Sequence, residues 1–301
     1  MKKVAILIPV FNNLEYTKKC IQRLDELIFH NDFSYTEFLV IVIDDGSTDG
    51  TTDWLTAHHP EVIVIRGDGN LWWSGGINMG AKYAMDKLQV DFILLWNNDI
   101  LPADNYFTEL DKLVKDLDER TIAGSKIFYL GRKDLIWSCG GVFNPKTGLK
   151  YMVGYNLPDS DEFNRVMDVD WLPGMGTLVP VNIIRNIGYW DAEVFPQYHG
   201  DSDFTFRAAT AGYQINVYPR LLLWNDKSSS GLAHGGSVKG LVRALTSIRS
   251  NTNIGKDILF YRRHATSFLA YGVLVKYYCR VIGGFIKWKL LSLIGVRRDA
   301  L

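Results

Sequence analysis

The sequence predicts an α/β protein built on a Rossmann-like, mostly parallel sheet flanked by helices and followed by a C-terminal helical extension. Three observations predict it. Four short apolar runs, at 4–10, 38–43, 62–65 and 92–96, are separated by stretches long enough for one helix each. Runs that are apolar throughout, rather than at alternate residues, suit strands covered on both faces. Two of them end in carboxylates, Asp44-Asp45 and Asp99, at the edge where open α/β sheets bind ligands. Charge also splits along the chain: residues 1–238 hold 21 basic and 31 acidic residues, whereas 239–301 hold 12 and 2. That split sets a boundary near 238 and gives the tail a partner of its own.

Each element follows from local pattern. The first run stops at Pro9-Val10-Phe11-Asn12-Asn13, a strand entering a loop. Leu14, Ile21, Leu24, Leu27 and Ile28 then recur at near-helical spacing and predict one amphipathic helix. The second run, FLVIVI at 38–43, passes into Asp44-Asp45-Gly46-Ser47-Thr48-Asp49-Gly50, a cluster of turn residues. A third strand covers 62–65. Between Gly69 and Gly76, GNLWWSGG reads as a loop, after which Ile77, Ala81, Ala84, Met85 and Leu88 line a helix face. FILLWNNDI at 92–100 closes a β-α-β-α-β-α-β series. Further on, Asp201-Ser202-Asp203 opens a helix with apolar Phe204, Phe206, Ala208, Ala209 and Ala211 and a stop at Gly212.

With 301 residues, 47 % hydrophobic and 22 % charged, the chain has room for a sizeable core in one large domain or two. Cys20, Cys139 and Cys279 lie far apart, without metal or redox spacing, and suit a reducing cytosol. The opening lysines and apolar run read as a first strand rather than a signal peptide, because no small-residue cleavage site follows. No G-x-G-x-x-G and no P-loop follows the first run, which excludes dinucleotide and P-loop chemistry. Carboxylates at strand ends repel bare phosphate. They accept hydrogen bonds from a nucleobase imide or ribose hydroxyls, or hold a Mg²⁺ or Mn²⁺ ion that holds phosphates. A sugar nucleotide with a divalent ion suits such a crevice. Each cluster also has a local reading: a turn at Asn97-Asn98-Asp99, a capped turn at Asp44-Asp45, and a helix N-cap within Asp201-Ser202-Asp203. Asp203 and Arg207 are spaced for an i,i+4 pair, which would leave Asp201 free.

Six blocks resemble, in order, a family-2 inverting glycosyltransferase of the GT-A fold. They are IPVFNN (8–13), VIDDGSTDGT (42–51), GNLWWSGGINMGAKYA (69–84), LLWNNDI (94–100), VDWLPGMGTLVP (169–180) and GYWDAEVFPQYHGDSDFTFRAATAGY (188–213). The two-tryptophan glycine loop is also similar to that of bacterial transferases building cell-surface polysaccharide such as O-antigen, rhamnosyltransferases among them. The resemblance implies a GT-A catalytic domain at 1–238, with a nucleotide-binding half at 1–100 and an acceptor half at 101–238. It implies a UDP- or dTDP-linked sugar donor, with Pro9, Phe11, Asp44 and Asp45 lining the nucleobase and ribose pocket. Gly75 and Gly76 would let the main chain approach the donor, with Asn78, Asn98 and Trp73 as further contacts. Of the adjacent Trp72 and Trp73, one is expected buried and one beside the donor. Trp171, Gly174 and Met175, with Pro173, would floor the acceptor pocket, and Asp201 would be the general base. The chain departs from the family twice. The usual Asp-x-Asp is Asn97-Asn98-Asp99, leaving Asp99 as the anionic ligand for Mn²⁺ or Mg²⁺, with His234, Asn225 or Asp226 to complete the site. Gly200 stands where the family places an acidic residue before its base.

The tail, 239–301, mixes Arg262, Arg263, Lys276, Arg280, Lys287, Lys289, Arg297 and Arg298 with eight aromatic residues. Its longest uncharged run, 265–275, falls well short of the ~20 residues that span a bilayer. Basic, aromatic, helix-compatible segments lie on anionic membrane surfaces, so peripheral membrane contact is expected; the alternative is packed helices with a solvated basic face. Nucleic acid is excluded as a partner, since no binding motif accompanies the charge. The expected location is the cytoplasm at the inner face of the cell membrane, beside a glycan or lipid-linked glycan acceptor. Two other readings compete. A sugar-nucleotide pyrophosphorylase wants a glycine- and arginine-rich phosphate loop after the first strand, where FNNLEY stands. A catalytically inactive relative that binds sugar nucleotide or glycan is suggested by Asn97 and Gly200.

Overall fold

The computed structural model describes residues 1–226 and 237–293. The chain divides into two compact units, Met1–Val142 with Tyr151–Ser229, and Phe143–Lys150 with Ser230–Leu301. The first begins with the alternation expected from the apolar runs: β1 (Lys2–Val10), α1 (Leu14–Leu24), β2 (Thr36–Asp44), α2 (Thr51–His58), β3 (Ile63–Arg66), α3 (Trp72–Tyr83) and β4 (Phe92–Leu95). There follow β5 (Ile100–Pro102), α4 (Tyr106–Asp116), β6 (Thr121–Tyr129), β7 (Arg132–Ser138), and the hairpin of β8 (Gly141–Phe143) and β9 (Lys150–Met152). Then come β10 (Met167–Asp168), β11 (Thr177–Pro180), α5 (Val181–Ile187), α6 (Gly200–Thr210) and β12 (Gln214–Asn225).

The main sheet runs β10-β12-β6-β11-β4-β1-β2-β3, with β5 added to β12 and β7 to β6. Neighbours among β1 to β4 are parallel, as are β6 and β12, whereas β11 is antiparallel to both β4 and β6. Along β1, Val4, Ile6, Ile8 and Val10 enter one core with Ile21 and Leu24 of α1 and Phe107 and Leu110 of α4. Ala5 and Leu7 enter the other, with Ile77 and Ala81 of α3 and Ile183 and Ile184 of α5. Burial on both faces is why the run is apolar at every residue. The connections from β1 to β2 and from β3 to β4 leave in opposite directions, so the crevice between β1 and β4 is the switch point where such sheets bind ligands.

Two local expectations change. GNLWWSGG is a loop only as far as Leu71, because α3 starts at Trp72 and takes in Ser74-Gly75-Gly76. Ser-Gly-Gly is a poor helix opening by propensity. Tertiary contacts supply what propensity lacks: the Ser74 N–H donates to the Pro196 carbonyl at 2.8 Å, and its hydroxyl to that of Phe195 at 2.6 Å. Gly76 and Gly80 bring α3 onto the sheet, since an added Cβ would lie 3.0 Å from Pro9 Cβ and 2.8 Å from Ile43 Cδ1 respectively. Gly76 therefore serves helix packing. The N-cap of α6 is His199, in left-handed conformation with φ 68°, rather than a member of Asp201-Ser202-Asp203. Gly200 follows because an added Cβ would lie 2.1 Å from Ser74 Oγ.

In the second unit, α7 (Val238–Thr246), α8 (Ile254–His264) and α9 (Ala270–Leu293) are all helical. The first two are capped by Ser237 and Asn253, whose side chains accept the Gly240 and Lys256 amides at 2.9 and 3.0 Å. Within this unit the Tyr261 hydroxyl donates to the Gly148 carbonyl at 2.6 Å, and Phe143 meets Phe260 edge to face. Among the described residues no helix is long and apolar enough to cross a membrane.

The α3–α6 contact is open to test. Gly200→Ala should cost about 1–3 kcal/mol by overpacking, and distinctly less where Ser74→Ala has removed the hydroxyl it meets. Urea unfolding of the two single variants and the double variant measures that coupling, and additive effects would refute it.

Candidate active site

The loops after β1 and β2 are laced together at the carboxyl edge of the sheet. Asn12 and Asn13 are left-handed, with φ 58° and 64°. The Asn12 N–H donates to Ser47 Oγ at 2.7 Å, and the Thr48 N–H donates back to Asn12 Oδ1 at 2.9 Å. Leu14 N–H reaches Asp49 Oδ2 at 2.8 Å. Burial opposes the Asp49 charge, but hydrogen bonds from the Thr51 hydroxyl and from the Leu14 and Thr51 amides prevail and hold its carboxyl below the ordinary range.

Asp44 and Asp45 are both buried and both hydrogen bonded. Asp44 accepts the Ser47 N–H at 2.8 Å and the Thr52 hydroxyl, so the capped-turn reading describes its contacts. Asp45 accepts three main-chain amides, Gly69 at 2.8 Å, Leu71 at 2.9 Å and Trp72 at 3.1 Å. That carboxylate caps α3 from another strand, satisfying amides that the helix leaves free. Asp44, Ser47, Thr52, Arg66 and Gly67 line a cavity of about 330 Å³. Beside the same strand ends Pro9 is half-buried and Phe11 is 51 % exposed, an unusual exposure for a phenylalanine.

A chain of contacts then crosses the crevice. Asp201, in the first turn of α6, accepts the Gly174 N–H at 2.8 Å through Oδ2 and the Ser202 N–H at 2.7 Å through Oδ1. Gly174 lies against the Trp73 indole, where an added Cβ would meet Cζ2 at 2.2 Å. Trp73 Nε1 donates to Asn97 Oδ1 at 3.1 Å. Trp72 and Trp73 are both half-buried, so neither is the fully buried member of the expected pair. They stand on the first turn of a helix rather than on a strand, and the residue Trp72 is left-handed with φ 56°. Four of the six left-handed non-glycine residues among those described, Asn12, Asn13, Trp72 and His199, border this crevice. Each stores roughly 1–3 kcal/mol that its surroundings must hold.

Other expected site residues make contacts within the chain. Asn78 holds the Trp190 main chain at both ends, donating to its carbonyl at 2.7 Å and accepting its N–H at 3.1 Å. Gly75 lies over Leu71, 3.3 Å from its Cβ for an added Cβ. Asn98 donates to Thr17 Oγ1 at 3.1 Å. Trp171 is buried against Gly141, and Met175 is buried in the core. Asp203, fully buried, accepts from Arg207 Nε at 3.0 Å, and Arg207 also donates to the Ile187 and Tyr189 carbonyls. The i,i+4 pair is thus formed.

Asp99 is half-buried in the turn between β4 and β5, directly before Ile100. The β5–β12 ladder sets Ile100 opposite Asn225, and the Asp226 N–H donates to the Asp99 carbonyl at 3.1 Å. The Tyr16 hydroxyl donates to Asp226 Oδ2 at 2.9 Å. Asn225 Oδ1 is buried without a hydrogen-bond partner among the described residues. Burial, with the nearby Asp99 charge adding to it, pushes the Cys20 thiol up to about 12. The donors gathered here are all oxygen, the kind Mg²⁺ and Mn²⁺ take. Among the described residues no cluster of three or more His, Cys, Asp or Glu side chains is placed to hold a metal ion. A cation at this place would need most of its shell from substrate oxygens and water. His234 lies outside the described residues.

Two residues here have no role in the sequence analysis. Gln197, whose Oε1 accepts the Trp73 N–H at 3.3 Å, carries no local signal. Arg66 had one: it ends the third apolar run, the same strand-end position that singled out Asp44.

Comparison with known proteins agrees with this architecture. The family described as glycosyl transferase family 2 matches residues 5–174. The low-salt glycan biosynthesis hexosyltransferase Agl10 of Haloferax volcanii is 25 % identical over 180 residues, 58 % of this chain and 54 % of that protein. The undecaprenyl-phosphate mannosyltransferase of Micrococcus luteus is 24 % identical over 242 residues, 77 % of this chain and 88 % of that one. The chain thus spans about half the length of the first and most of the second. The crystal structure of GalNAc-T7 with UDP, GalNAc and Mn²⁺ superposes with a TM-score of 0.55 over 93 % of this chain and 57 % of that one. At 11 % identity that likeness concerns the fold alone. The mixed, mostly parallel sheet with its flanking helices is GT-A-like, and the chain belongs to glycosyl transferase family 2.

Proposed function

We propose that this glycosyltransferase inverts the anomeric centre, moving a sugar from a UDP- or dTDP-linked donor to a hydroxyl of a glycan or lipid-linked glycan. The observation that carries the reading is the Asp201 carboxylate, oriented by the Gly174 amide at 2.8 Å and joined through Trp73 to Asn97. Asp201 takes the proton of the acceptor hydroxyl while that oxygen bonds to the anomeric carbon and the bond from that carbon to the diphosphate breaks. Such a base contributes ~10²–10⁴ in rate. Phe11 offers an exposed ring face to the nucleobase, and Asp44 and Arg66 border the cavity beside it. Asp99, with Asp226 next to it, would hold Mg²⁺ or Mn²⁺. When bound, the cation neutralises charge on the departing nucleoside diphosphate.

The names of the two relatives support a hexosyl donor and, for the Micrococcus protein, an acceptor on a polyprenyl phosphate. On that basis the product belongs to surface-glycan assembly at the inner face of the membrane, with 239–301 as the membrane contact. A rhamnosyl donor of the O-antigen type stays within the proposal. The two features that suggest an inactive relative also have packing roles, since Asn97 accepts the Trp73 indole N–H and Gly200 makes room for Ser74.

Two experiments test this reading. Asp201→Asn should retain donor affinity and lose transfer by at least a hundredfold, read with a panel of UDP and dTDP sugars in Mn²⁺. Near-normal turnover of that variant would remove Asp201 as the base. Calorimetric titration of the donor should give much weaker binding after chelation, and Asp99→Ala should show the weak value with or without Mn²⁺. Equal affinity of the unmutated protein in both conditions would end the metal assignment.

A further inference from the structure

We infer that α9 is an in-plane membrane helix, whose outer apolar stripe, bordered by lysine and arginine, seats the second unit on an anionic lipid surface. The inference rests on the proposed lipid-linked acceptor only for its purpose, since the surface itself is read from exposure and charge.

The 24 residues of α9 carry two apolar faces, not one. Leu274, Tyr278 and Phe285 are buried and use up the face that packs within the unit. Val275, Ile282, Ile286 and Leu290 are 61, 39, 52 and 60 % exposed, and Cys279 is exposed among them. Their spacing of three and four residues puts all five on one stripe at 3.6 residues per turn. The turn leading into the helix continues it with Phe268 and Leu269, 95 and 80 % exposed. A row of large apolar side chains left in water is an interaction surface rather than ordinary surface composition.

Charge identifies the partner. On the same helical wheel Lys276, Arg280 and Lys287 follow one border of the stripe and Lys289 the other, and α9 contains no Asp or Glu. Across 237–293 the sole acid is Asp257, whose carboxylate accepts the Tyr278 hydroxyl. A second copy seated on this stripe would bring like charges together, which is unfavourable. An anionic bilayer accepts both features: apolar side chains enter the headgroup boundary and the basic borders meet lipid phosphates. Because no described helix can cross a membrane, α9, about 36 Å long, would lie along the surface.

The test uses the full chain with an environment-sensitive fluorophore on Cys279, the cysteine exposed where Cys20 and Cys139 are buried. With phosphatidylglycerol vesicles at low salt the protein should float and the label should shift to the blue. With phosphatidylcholine vesicles both signals should be weak, and added salt should weaken binding. Lys276→Gln, Arg280→Gln and Lys287→Gln together should lower vesicle affinity on the order of a hundredfold, roughly fivefold per charge. Ile282→Ser with Ile286→Ser should leave a salt-sensitive encounter and abolish the blue shift. These side chains are exposed, so circular dichroism should be unchanged. Failure to float with phosphatidylglycerol, or a label shift without lipid that accompanies a doubled mass, would overturn the inference. Donor calorimetry on the same samples keeps the readings apart. Flotation without donor binding would count against the transferase site alone, and donor binding without flotation against this surface alone.

Discussion

The carboxylate of Asp45 receives the amides of Gly69, Leu71 and Trp72, and the start of α3 depends on it. A helix opening with Trp-Trp-Ser-Gly-Gly has little propensity of its own, and its first amides would otherwise go unpaired inside the protein. Once capped from β2, the helix carries Trp73 to Gly174 and Asn97, Ser74 to the segment before α6, and Gly76 onto Pro9. One buried anion thus connects the ends of β1 and β2 to the first turn of α6. The strained backbone at Asn12, Asn13, Trp72 and His199 borders the same junction, where neighbouring contacts over-determine the conformation.

The two departures from the family pattern follow from that arrangement. A carboxylate at Asn97 would also accept the Trp73 indole hydrogen, but it would add charge beside Asp99. The amide makes the same bond without it. At Gly200 no side chain fits, because Ser74 Oγ, held by the Phe195 carbonyl, occupies the space a Cβ would need. The proposed base then stands without an acidic neighbour before it and is oriented by a main-chain amide. Both substitutions exchange charge for packing at the same contact between helices. They belong together.

The second unit follows a different logic. Its helices hold one another with aromatic and aliphatic side chains on one face, yet α9 keeps a second apolar face in water beside its lysines and arginines. A solvated structural helix has no need of that face. The charge asymmetry visible in the sequence and the exposure visible in the structure are separate observations, and they meet on this helix.

The sequence alone determined the four parallel strands, the helices between them and the edge of the sheet where function would lie. Those follow from period and burial: runs apolar at every residue belong between two layers of helices, and the residues ending them must face the crevice. Tertiary structure alone decided which groups the polar residues at that edge meet. Asp44, Asp45, Asn78 and Asn98 carry the signs of ligand-binding residues, and each also makes hydrogen bonds within the chain. The partners of Asn78 and Asp45 stand 112 and 24–27 residues away, beyond any local pattern. The antiparallel insertion of β11 between β4 and β6 was equally hidden, because a four-residue strand buried on every residue has no period that tells its direction. Sequence spacing reports which face a residue takes; only the folded chain decides what it meets there.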